Sequence, residues 1–155
     1  MLSILKKAVA KIWAKQYVKS SEKFTRNAVS NQENLLKNLI TKAVNTKFGK
    51  EHGFVSIRNI QDFQSKVPLA DYEDLKNYIE EIKEGEKDIL WPGQPEYFAK
   101  TSGTTSGSKY IPISKEAMPY QIDAARSALF FYIAQKDNAD FVNGKMIFLQ
   151  GSPEL

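Results

Sequence analysis

Apolar residues recur at helical spacing along most of this chain, and the exceptions crowd into one short stretch. From residue 2 to 19, Leu2, Leu5, Val9, Ile12 and Trp13 follow a period near 3.6, and Lys6, Lys7, Lys11, Lys15 and Lys19 supply the polar side. This reads as a basic amphipathic helix docked on the protein body, its lysines solvated and Trp13 and Tyr17 its packing anchors. The same pattern would also suit an anionic membrane surface. A second helix is expected over 31–50, with Leu35, Leu36, Leu39, Ile40, Ala43, Val44 and Phe48 as its buried stripe and Gly49 or Gly53 as its stop. Ile57, Ile60 and Phe63 mark a short helix over 56–67 that Pro68 ends. Asp71 then reads as an N-cap, with Tyr72, Leu75, Tyr78, Ile79 and Ile82 on one face and Gly85 just past the end.

The period changes at Tyr97. Tyr97-Phe98-Ala99 and Tyr110-Ile111-Pro112-Ile113 are short apolar runs of strand type, and between them lies Lys100-Thr-Ser-Gly-Thr-Thr-Ser-Gly-Ser-Lys109. Residues 115–136 return to helical spacing through Ile122, Ala125, Leu129 and Ile133, with Tyr120, Phe130, Phe131 and Tyr132 nearby. Residues 145–150, Lys-Met-Ile-Phe-Leu-Gln, read as a further buried strand. The expected class is therefore α/β of mixed α+β type: a mainly helical N-terminal half, a β-hairpin carrying a loop, a long helix and a strand. In segments, 1–54 is a helical front, 55–96 a helical run-up, 97–114 the hairpin and 115–155 the closing helix and strand.

The loop between the strands holds the candidate chemistry. Thr101, Ser102, Thr104, Thr105, Ser106 and Ser108 carry hydroxyls, Gly103 and Gly107 are interleaved, and Lys109 closes the run. Glycines let main-chain N–H groups approach a ligand closely. Hydroxyls and N–H groups donate to phosphate oxygens, and a lysine adds a point charge. The combination fits a polyphosphate, although Ser, Thr and Gly also fill ordinary polar hairpins. It is not a Walker loop, which needs its lysine at the opening of a helix; here Tyr110-Ile111-Pro112 follows. A dinucleotide fingerprint, G-x-G-x-x-G, is also absent.

Composition narrows the classes. The 155 residues suffice for a real core, and the moderate charge is that of a folded chain. The absence of cysteine removes disulfides and thiolate metal sites, and a single histidine leaves no zinc cluster. That histidine, His52, is expected to be structural or exposed. No signal-peptide pattern or membrane-length apolar run is present, so the expected location is cytoplasmic. The net charge of +4 conceals a basic front and an acidic middle. Residues 1–50 hold eleven Lys/Arg against Glu22 and Glu33; residues 62–96 hold ten Asp/Glu against four lysines. Glu80, Glu81, Glu84 and Glu86 read as a solvated helix end, not as an acid–base pair.

Thr101-Ser102-Gly103-Thr104-Thr105-Ser106-Gly107 followed by Lys109 resembles the first signature of the adenylate-forming enzymes. Together with FGKEHGF and VPLADYEDLKNYIEEIKEGEKDIL upstream, it is similar to the GH3 (auxin-responsive) acyl-acid amido synthetases and their bacterial relatives, over about Leu35 to Ser114. Plant members usually have one more residue between the second glycine and the lysine. The resemblance implies ATP-dependent activation of a small carboxylic acid as its adenylate, with Mg2+, followed by amide formation with an amino acid. It implies that Thr101, Ser102, Gly103, Thr104, Thr105, Ser106, Gly107 and Lys109 bind the nucleotide's phosphates. It names no catalytic residue and no metal ligand in this chain. It places the 115–136 helix near the acyl pocket, where Arg126 faces either a substrate carboxylate or solvent. Family members are much longer, so this chain is expected to be an N-terminal piece, inactive alone, whose partner is the missing C-terminal part of the same enzyme. No nucleic-acid motif is present, and a membrane role for the first helix is not the favoured reading. A helical scaffold module and a basic binder of anionic surfaces remain the alternatives.

Overall fold

The computed structural model describes residues 2–101 and 107–145, and within them the chain forms two compact units. One comprises residues 2–28 and 116–145; the other comprises 29–115.

The first unit pairs two long helices, α1 (Leu2–Arg26) and α6 (Ala117–Lys136), followed by a 3-10 turn at Asp140–Asn143. Pro119 falls in the first turn of α6, where N–H groups have no intrahelical acceptor and a missing donor costs nothing. The contact centres on Ala14, Ile133 and Ala139, which are buried, with Ala10, Phe130, Ala134, Phe141 and Val142 around them. Tyr17 is the anchor the sequence suggested, its ring 5.2 Å from Phe130 and 6.3 Å from Phe131, its hydroxyl bonded to that of Ser127. Trp13 is not an anchor; it is 62% exposed, because the helices meet on the neighbouring face, where Ala10 and Ala14 stand one turn apart. The lysines are not all solvated either. Lys7 pairs with Asp140 at 2.6 Å, and Lys11 and Lys15 both reach Asp137, at 2.8 and 3.3 Å.

The face of α6 that buries itself also differs from expectation. Ile133 is buried, but Ile122 and Leu129 are exposed, and Ala125 with them. A helix that is apolar on most sides gives periodicity no single face to select. The strand expected over 145–150 lies, beyond Lys145, outside the described residues.

In the second unit the helix expected over 31–50 is two helices, α2 (Ala28–Ala43) and α3 (Lys47–Glu51). Thr46 makes the break. It is 1% exposed, its hydroxyl donates to Ala43 O at 2.7 Å, and the same oxygen accepts the Gly49 N–H at 3.0 Å. It thus closes one helix and N-caps the next. Gly49 lies inside α3, and Gly53, at φ +62, follows its end. Leu36, Ile40, Ala43, Val44 and Phe48 join Phe54, Ile57, Phe63, Val67 and Trp91 in the core, whereas Leu35 and Leu39 remain exposed. The helix expected over 56–67 is a 3-10 turn at Phe54–Ser56 and then α4 (Ile60–Lys66). Asn59 is extended and caps α4 by accepting the Asp62 N–H at 2.8 Å, which sets the later start.

Helix α5 (Tyr72–Lys83) begins with a capping box in which Asp71 accepts from Glu73 and Asp74, and Asp74 accepts the Asp71 N–H at 2.9 Å. Ile79 and Ile82 are its buried residues. A connector then crosses α3, where the Asp88 and Ile89 carbonyls accept the N–H groups of Lys47 and Phe48, at 2.7 and 3.0 Å. These are two of the orphan donors at a helix start. Strands β1 (Tyr97–Lys100) and β2 (Tyr110–Ile113) form an antiparallel pair in the register Tyr97↔Ile113, Phe98↔Pro112, Ala99↔Ile111, Lys100↔Tyr110. A two-stranded ribbon tolerates Pro112 because its outer edge needs no N–H. The mixed helical and hairpin class expected from the sequence is the one observed.

Candidate functional site

The neck of the loop is fastened twice. The Thr101 N–H donates to Lys109 O at 3.0 Å, extending the ladder one pair beyond the strands, and the Lys109 N–H donates to the Thr101 hydroxyl at 3.1 Å. Gly107 lies at φ +82, and a Cβ there would meet nothing within 4 Å among the described residues. The chain therefore enters β2 by way of a left-handed residue, a conformation that favours glycine. Ser102, Gly103, Thr104, Thr105 and Ser106 lie outside the described residues. Of the phosphate-binding residues expected from the sequence, the structure thus places Thr101, Gly107 and Lys109, and it brings all three to the neck.

The surroundings of the neck are cationic. Lys109 Nζ lies 5.1 Å from the centroid of the Tyr72 ring, while Lys83 Nζ and Lys100 Nζ lie 4.5 and 5.6 Å from that of Tyr110. Lys83 is also bonded to the Glu80 carboxylate at 2.7 Å, which, with nearby Glu80 charge, holds its pKa above the usual lysine value. Among the described residues, Lys100 and Lys109 make no ion pair. An ammonium without an ion pair among the described residues, a glycine and a hydroxyl at one neck suit an anion with several oxygens. The residues present fit a polyphosphate group.

Sequence reasoning missed the side chain that joins this neck to the rest of the unit. The Tyr110 N–H donates to the Tyr72 hydroxyl at 3.0 Å, so the first residue of α5 holds the first residue of β2. The signal was faint, since Tyr72 appeared only as one of five apolar positions on a helix face.

The remaining candidates have local partners. His52 stacks on Phe48, with centroids 4.0 Å apart, and its Nδ1 lies 2.9 Å from Phe48 O, a structural placement in line with expectation. Glu80 pairs with Lys83 and Glu81 with Lys47 at 2.6 Å. Arg126 is half exposed, is paired with Asp123 at 3.1 Å, and edges a shallow depression with Trp13, Gln16, Tyr17 and Phe130. Among the described residues, no three of His, Cys, Asp and Glu stand together as metal ligands, and no helix is long and apolar enough to cross a membrane.

Comparison with known proteins agrees in kind. The GH3 family N-terminal domain matches residues 17–153. Indole-3-acetic acid-amido synthetase GH3.2 of Arabidopsis thaliana is 35% identical over 101 residues, which is 64% of this chain and 18% of that protein. Probable indole-3-acetic acid-amido synthetase GH3.1 of the same plant is 31% identical over 99 residues, 63% of this chain and 17% of the other. Jasmonoyl-L-amino acid synthetase JAR6 of Nicotiana attenuata is 26% identical over 133 residues, 84% of this chain and 23% of the other. The chain spans about a fifth of the length of these relatives.

Proposed function

The chain belongs to the GH3 family through its N-terminal domain, and from that premise we propose that it forms the phosphate-gripping end of an acyl-acid amido synthetase. The full reaction joins a small carboxylic acid to an amino acid at the expense of ATP, in the cytoplasm. When bound, ATP with Mg2+ supplies the activating group and a pyrophosphate that departs. The observation that carries this reading is the doubly fastened neck, closed by Thr101 and Lys109 and approached from Gly107, with a Lys109 ammonium that makes no ion pair among the described residues.

Each residue has a part in this reading. Ser102, Thr104, Thr105 and Ser106 donate hydroxyl protons to phosphate oxygens, and main-chain N–H groups around Gly103 and Gly107 do the same. Lys109 neutralises the β/γ end of the triphosphate. Hydrogen bonds to a charged group contribute about 1.5–3 kcal/mol each, so two or three of them decide whether a triphosphate stays. The single residue between Gly107 and Lys109 supports a bacterial-type member. The 155 residues act as one part of a longer enzyme and are inactive alone. The share of the relatives they cover supports this, as do the apolar residues that α1 and α6 leave bare, among them Ile12, Trp13 and Ile122.

The test uses inorganic tripolyphosphate, which has only the part of the nucleotide that this loop would touch. Titrated into the chain, it should shift the Gly107, Lys109 and Tyr110 amide resonances, with half-saturation at roughly millimolar concentration. Unmoved amides would overturn the phosphate reading. Separately, the chain mixed with ATP, Mg2+, candidate acids and amino acids should release no pyrophosphate; steady turnover would overturn the claim that it is inactive alone.

A further inference from the structure

Two chemically different features of one side chain hold two successive residues at the exit of the loop. The Tyr72 hydroxyl accepts the Tyr110 N–H at 3.0 Å, and the Tyr72 ring lies 5.1 Å from Lys109 Nζ. In an antiparallel ribbon alternate N–H groups point away from the partner strand. The Thr101 N–H to Lys109 O bond makes that pair a bonded one, so its neighbour Lys100↔Tyr110 is of the outward type. Tyr72 satisfies the outward donor. It is itself held at the first position of α5 by the Asp71–Asp74 capping box, which fixes the backbone from which the ring extends.

Resting on the phosphate reading above, we propose that Tyr72 is a positioning residue for polyphosphate binding, acting through Lys109. A lysine has a flexible four-carbon stem, and fixing it on a ligand costs conformational freedom. Resting the ammonium on the ring restricts it beforehand, at the mouth of the loop. An exposed cation–π contact is weaker than a charge-assisted hydrogen bond to phosphate. The ring therefore holds the cation without competing for it. The hydroxyl fixes the strand on which Lys109 stands, so both features of Tyr72 bear on where the Lys109 ammonium sits.

Titration of the chain with tripolyphosphate, read by amide shifts, tests this on five proteins: the unaltered chain, Tyr72→Phe, Tyr72→Leu, Lys109→Met and the Tyr72→Leu/Lys109→Met double variant. Lys109→Met should weaken binding about tenfold. Tyr72→Leu should weaken it about fivefold and Tyr72→Phe about twofold, the latter keeping the ring. The double variant should bind about as well as Lys109→Met alone, because a residue that acts through Lys109 has nothing left to act on. Losses that multiply, or a Tyr72→Leu variant that binds as well as the unaltered chain, would overturn the role of Tyr72 while Lys109→Met still reports a working loop. Should Tyr72→Leu fail to fold, Tyr72→Phe decides, and unchanged binding there overturns the proposal. No binding by the unaltered chain means that the phosphate reading itself has failed.

Discussion

The Thr101 hydroxyl accepts the Lys109 N–H at 3.1 Å, while the Thr101 N–H donates to Lys109 O at 3.0 Å. One residue thereby meets both main-chain groups of the other. Replacing Thr101 with Val keeps the shape and removes the acceptor. The expected cost is about 1 kcal/mol of neck stability, seen as faster hydrogen exchange of the Lys109 amide, together with weaker tripolyphosphate binding. Thr101→Ser should restore both. Unchanged exchange in Thr101→Val would show that the ladder bond alone holds the neck.

Gly49 is constrained by space, not by angle. A Cβ built there would lie 2.1 Å from Ala43 O and 3.1 Å from the Thr46 hydroxyl oxygen. The nearer obstacle is backbone, so α2 and α3 must move apart to admit it. Gly49→Ala should lower stability by about 3 kcal/mol, measured by denaturant unfolding. A loss below about 0.5 kcal/mol, the scale of an ordinary surface change, would mean that the break between the helices is loose.

Tyr78 links α5 to α3 by donating to Glu51 at 2.5 Å. That bond, then burial and the Glu51 charge, push its pKa up to about 12. A group whose folded pKa is raised stabilises the fold fully below its unfolded value near 10, and the contribution is lost as pH rises through the folded value. Absorbance titration of the tyrosines should show a step near 12 that disappears in Tyr78→Phe. The variant should also lose less stability than the unaltered chain between pH 10 and 12.

Asp137 answers acid instead. Hydrogen bonds from Lys11 and Lys15 hold its carboxyl below the usual aspartate value, and Lys7 does the same for Asp140. A lowered carboxylate pKa gives stability that is present above the unfolded value of about 3.8 and is lost as pH falls through the folded one. The α1–α6 pair should therefore loosen below about pH 4, and Asp137→Asn should shift part of that loss to neutral pH. Trp13 fluorescence and helical circular dichroism follow it. Because Asp137 has φ +46, Asn is the suitable replacement, being tolerant of that backbone where most residues are not.

What the sequence revealed depended on whether a signal was local. The Asp71 cap, the two strands and the hairpin between them depend on a few adjacent residues, and all appear where the pattern put them. The break at Thr46 was equally local, but the apolar stripe runs through it to Phe48 and hides the cap. The buried face of α6 depends on α1, more than a hundred residues earlier, and no window along the chain contains both. The candidate site divides in the same way. Its hydroxyls, glycines and lysine could be read in one run, whereas Tyr72, 38 residues before Tyr110, is joined to them only by the fold.

A neck that fastens itself separates how the loop is mounted from what the loop contains. Seven residues lie between Thr101 and Lys109, and none of them takes part in the two bonds that close the ring. Lengthening or shortening that span changes its reach and leaves the ribbon beneath undisturbed. The span can therefore be altered one residue at a time, and an engineer can graft in a foreign one, provided that the threonine and lysine at its two ends are kept.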